Sequence, residues 1–132
     1  MLAIGITTCK AGCSGRREDE LFYQYLISVA PTQEEKEIIA SIRDDERKHY
    51  QMFREIYRDF TGQEVQSMNA EQFERPVTYV DGIKKALFGE LKAVEKYRMI
   101  RQCLIQGLYR DMLFEIITDE LYMLQNIISY SL

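Results

Sequence analysis

The feature that most restricts this chain is one long amphipathic run that starts at Thr32. Thr32 followed three residues later by Glu35 is a capping box, and it stands just after Pro31, where a preceding helix must have stopped. From there Ile38, Ile39, Ile42, Phe53, Ile56 and Phe60 recur at helical spacing as far as Gly62. The spacing predicts a helix of about 30 residues, long for a globular domain.

Three further stripes are present. Leu21, Phe22, Tyr25, Leu26 and Val29 mark a shorter helix over 17–29 that ends before Pro31. Asp81 is placed to cap a helix over 81–106 with the stripe Ile83, Ala86, Leu87, Val94, Tyr97, Ile100 and Leu104, and Gly107 is placed to end it. Leu113, Ile116, Ile117, Leu124, Ile127 and Ile128 then carry a fourth helix over 108–129. Between 62 and 79 the periodicity lapses and Pro76 intervenes, which reads as a long crossover. The expectation is a single all-α domain over residues 1–132, an antiparallel four-helix bundle with one crossover.

Composition agrees. Hydrophobic residues make up 46% of the chain and supply a core, while 29% charged residues of mixed sign argue against disorder and against a membrane span. Seven glycines and two prolines are too few for a turn-dense β fold. A net charge of −4 without a clustered basic stripe sets nucleic acid aside as a partner. Cys9, Cys13 and Cys103 form an odd set without a C-x-x-C pair, which fits free thiols in a reducing cytoplasm. The opening Met1 to Ile6 is apolar but lacks the order of a signal peptide.

Four titratable residues fall on faces that should be apolar. On the second helix Glu46 and His49 lie at i+4 and i+7 from Ile42; on the third Glu90 falls between Leu87 and Val94; on the fourth Glu120 falls between Ile117 and Leu124. An ionised, unpaired carboxylate in a bundle core costs several kcal/mol, so this set needs protons, basic partners or a metal. Oxygen and imidazole donors suit iron or manganese, and Glu-x-x-His places both side chains on one helix face. An internal repeat connects them. Ile42-Arg-Asp-Asp-Glu46 matches Ile116-Ile-Thr-Asp-Glu120 at an offset of 74, and the same offset takes Tyr23 to Tyr97 and Arg16 to Glu90. It sets out six ligand positions: 16, 46 and 49, then 90, 120 and 123. Arg16 and Met123 occupy two of them and are not ordinary hard-metal ligands.

With Glu46-x-x-His49 on a long second helix, the crossover, and Gly89-Glu90 on the third, the chain resembles the ferritin-like di-iron carboxylate proteins of the rubrerythrin-related group over roughly residues 18–122. The resemblance implies that Glu46 and Glu120 bridge two irons, with His49 terminal on one and Glu90 on the other, and chemistry with oxygen or peroxide or the handling of iron. It also implies a glutamate at 16, a histidine at 123 and, in many members, a glutamate where Ala93 stands; this chain departs at all three, and it carries no rubredoxin-like cysteine module. Permitted codons read one base out of register allow His-Ala-Ala-Lys-Tyr-Asn across 122–128 and a glutamate at 16. By that reading the sequence before Glu18 and after Tyr122 is out of frame. The contrasting expectation is a metal-poor structural or interaction bundle in which Arg16 replaces a cation.

Several smaller expectations follow. Glu20, one turn beyond position 16, is a substitute ligand in reserve, and Tyr23 and Tyr97 are hydroxyls that orient carboxylates. With Arg16 and Met123 in place, binding should not exceed one iron per chain. A first helix of about 15 residues is too short to cover a second of about 30. Ile56 and Phe60 should therefore be partly exposed, with a homodimer as their cover.

Overall fold

The computed structural model describes residues 16–66, 73–104 and 106–131. Among these the chain forms four helices and no strand: α1 Arg16–Val29, α2 Gln33–Thr61, α3 Tyr79–Cys103 and α4 Leu108–Ser131. Local chemistry explains most of the ends. The Thr32 hydroxyl accepts from the Glu35 N–H at 3.1 Å and donates to Glu35 Oε2 at 2.7 Å, starting α2 as its sequence requires. Gly62 ends it in the left-handed region, at φ 68°, with its N–H on the Arg58 carbonyl.

Two boundaries differ from the sequence reading. Thr78, not Asp81, caps α3: its hydroxyl accepts from the Asp81 N–H at 3.1 Å, so Asp81 is a first-turn acid inside the helix. Gly107 does not end α3, which stops at Cys103; its carbonyl instead accepts from the Asp111 N–H at 3.0 Å and opens α4. The reading failed there because a lone glycine between two helices suits either role.

The helices pack in a ring, α1 on α2, α2 on α4, α4 on α3 and α3 on α1. Gly82 permits the last contact, since a Cβ there would stand 2.5 Å from Leu26 Cδ2 and 3.0 Å from Pro76 Cγ. Two apolar clusters fill the ring. One gathers Phe53, Ile56, Ile100, Leu113 and Ile116; the other gathers Leu26, Ile39, Ile42, Ile83, Met123 and Ile127. Along α2, α3 and α4 the residues between the clusters are Glu46 and His49, Glu90, and Glu120. The polar groups therefore form a layer with a dry core on either side.

The expected exposure of Ile56 is wrong: it is fully buried, because α3 and α4 extend along α2 beyond the reach of α1 and bring Ile100 and Leu113 over it. Phe60 is exposed, its ring 5.6 Å from that of Tyr109. None of the described helices is long and apolar enough to cross a membrane.

Candidate metal centre

Glu46 and His49 occupy successive turns of α2, and Glu120 faces them from α4. Each offers one ligand atom within 4.8 Å of the others. His49 and Glu120 are 1% and 0% exposed, so their polar atoms depend on one another. His49 Nδ1 lies 3.1 Å from Glu120 Oε1, and Nε2 lies 2.9 Å from Asp119 Oδ2. Lys48 Nζ approaches the same Asp119 oxygen at 2.7 Å. Burial works to lower the His49 pKa, but hydrogen bonds to Glu120 and Asp119 outweigh it, and the imidazole is held above its ordinary value.

The carboxylates show what the layer lacks. Glu46 is held well above the ordinary range, first by burial and then by the charge of Glu120, with which it also shares a hydrogen bond. Burial beside a second carboxylate therefore favours the protonated form of Glu46. Glu120 Oε2 has no hydrogen-bond partner, and neither has Glu90 Oε2. Glu90 is 4% exposed and its other oxygen accepts from the Tyr23 hydroxyl at 2.6 Å. Buried carboxylate oxygens without partners are costly. A divalent cation among Glu46, His49 and Glu120 would take up the Glu120 lone pair and offset the charge, so the residues present fit a metal ion.

Of the four residues singled out from sequence, Glu46, His49 and Glu120 come together, while Glu90 stands apart from that trio. It faces Glu46 across a cavity of about 490 Å³ that Tyr23, Tyr97 and Ala93 also line. Tyr23 thus orients a carboxylate as expected. Glu20 is outside the trio: its carboxylate turns to Arg47, at 2.5 Å from Nη2 and 3.1 Å from Nε. Met123 is 1% exposed within the apolar cluster. The segment after Tyr122 continues α4, with Leu124 and Ile127 also buried. Cys9 and Cys13 lie outside the described residues, as does the side chain of Arg16, whose backbone opens α1.

Sequence reasoning missed Asp119 and Lys48, which fix the outer nitrogen of His49. The signal for Asp119 was the Asp-Glu pair repeated at 45–46 and 119–120. Asp19, by its position a first-turn acid of α1, also lines the cavity, and its pKa rises from 3.8 to about 6, by burial first and then by Glu18. Comparison with known protein families, curated proteins and solved structures finds no match.

Proposed function

We propose that this chain is a ferritin-like, rubrerythrin-related metal-binding bundle in which Glu46, His49 and Glu120 hold an iron or manganese ion, with Glu90 as the nearest further carboxylate. The observation that carries this reading is the convergence of those three donors within 4.8 Å beside two buried carboxylate oxygens that lack partners. Oxygen and imidazole donors favour these metals over soft ones. Bound iron would supply electron transfer to oxygen or peroxide, or a store of the ion itself.

The chain's own residues prepare the site in definite ways. Lys48 holds Asp119, which in turn holds Nε2 of His49, so that a proton kept there leaves Nδ1, beside Glu120 Oε1, to act as the donor to a metal. Tyr23 pins one oxygen of Glu90 and leaves the other open. Glu46, held in its protonated form by burial and by the charge of Glu120, must release its proton when a cation arrives, so binding is coupled to pH. The position corresponding to His49 in the repeat is Met123, buried among apolar side chains, and this limits the chain to about one tightly held ion.

A second reading has its own support. The imidazole of His49 between Glu120 and Asp119, with a proton held on Glu46, offsets much of the buried charge without metal. That arrangement suits a structural bundle that has lost di-metal chemistry. The two readings separate by metal analysis after purification without chelator, followed by loading with Fe(II) or Mn(II) and a Glu46→Ala control. A metal-binding bundle retains up to one ion per chain and gains about 2.7 kcal/mol of stability at a hundredfold excess over Kd. A structural bundle binds none and its melting point does not move.

The reading includes a homodimer. Phe114, Leu121 and Ile128 are exposed at seven-residue intervals along α4 and would form its seam. Sedimentation showing monomer alone at micromolar concentration would remove it.

A further inference from the structure

The following inference rests on the metal-binding reading and concerns how the ion arrives. The cavity of about 490 Å³ lies between α1 and α3 and runs from the surface, at Glu18, Asp19 and Lys85, to the buried carboxylate of Glu90. It exists because the α3 side is small: Gly89 and Ala93, one turn apart, both line it, and a Cβ added at Gly89 would meet no atom within 4 Å. A water occupies about 30 Å³ in the liquid, so the space accommodates a divalent ion with its hydration shell.

The lining is acidic on balance. Five carboxyl side chains stand against two ammonium groups, and one of the latter, Lys85, lies 5.2 Å over the Phe22 ring. The inner end is a built receptor: Glu90 is 4% exposed and its Oε2 has no partner. At the outer end Asp19 stands one turn before Tyr23 on the same face of α1, close enough to Glu46 and Glu120 for their charges to act on one another. Glu20, beside it, is occupied by Arg47 on the flank of α2.

We propose that the cavity between α1 and α3 is the port through which a hydrated divalent cation reaches Glu46 and Glu90, with Asp19 at its rim as the carboxylate that receives it. A low-dielectric cleft whose lining carries an excess of one charge concentrates the opposite ion, and its effect is felt in the association rate more than in the final affinity.

Stopped-flow mixing of the full chain with Co(II), followed by quenching of tyrosine fluorescence, tests this. Asp19→Asn should lower the association rate constant about tenfold and flatten its dependence on salt. Gly89→Leu, which exchanges a weak helix former for a strong one and fills the cavity, should slow association and release alike and leave Kd within about twofold of the parent. If both variants load at the parent's rate while the parent's Kd is intact, the port is refuted and the metal site stands. If the parent takes up no Co(II), the metal-site reading falls and the port falls with it.

Discussion

Residues 45–49 of α2 and 119–123 of α4 are the two copies of one repeated segment, yet they meet different surroundings. Asp119 accepts from Lys48 and interacts with His49; although burial acts to raise its pKa, those contacts hold it below the ordinary value. Asp45, its counterpart, is raised, by burial first and then by the charge of Asp119. Where α2 offers an imidazole, α4 offers the thioether of Met123 inside the apolar cluster. The polar chain is thus completed across the helices in one half only: Asp119 on α4 meets His49 on α2, while the position that would serve Asp45 holds Met123. Losing one imidazole therefore removes a donor on α4 and also a partner available to Asp45 on α2.

The largest expected effect comes from exchanging one residue in each half. His49→Ala should weaken metal binding by at least about a hundredfold. Met123→Ala should leave affinity within a few-fold while costing about 2–5 kcal/mol of stability through the cavity it opens. Titration calorimetry beside denaturant unfolding reads both, and equal losses of affinity in the two variants would abolish the distinction between the halves. Restoring the second half directly, Arg16→Glu together with Met123→His, should raise metal content from at most one toward two ions per chain. A double variant that folds equally well and binds no more metal would show the register of the 74-residue repeat to be wrong.

Asp119→Asn should have a smaller effect, about 10–100-fold in metal affinity, because it loosens the orientation of His49 without removing a donor. The corresponding Asp45→Asn should change affinity by less than about threefold, since no imidazole depends on it. Smaller still is the pH response of the metal-free chain. Asp19 ionises near 3.8 when unfolded and about 6 when folded, so its ionisation opposes folding increasingly as pH rises between those values. Glu46, raised well above its ordinary value, acts in the same sense. His49, raised above 6.5, contributes stability that is complete below that value and is lost as pH passes its folded pKa. Thermal melts should therefore show the metal-free bundle more stable at pH 5.5 than at pH 8, and metal affinity should follow the opposite trend.

Much of this was legible in the chain because it depends on neighbours a few residues apart. The cap at Thr32, the stop at Gly62 and the four stripes are properties of local spacing, and so is the inward direction of Glu46, His49, Glu90 and Glu120. Thr78 was passed over because Asp81 is also a good capping residue, and only the backbone at 78 decides between them. Glu20 looked inward by spacing, but a guanidinium on the next helix drew it to the flank.

The sequence by itself determined four amphipathic helices, an inward polar layer, and a repeat that places Met123 opposite His49, because periodicity and side-chain chemistry operate within one helix. Only the tertiary structure decided which groups touch. It gave Asp119 rather than Asp45 the imidazole, turned Glu20 to Arg47, and buried Ile56 beneath α3 and α4. It also left a charged cavity where Gly89 and Ala93 face α1. These outcomes depend on helix offsets and on distances between residues far apart in the chain, and such distances are set by the packing of all four helices together.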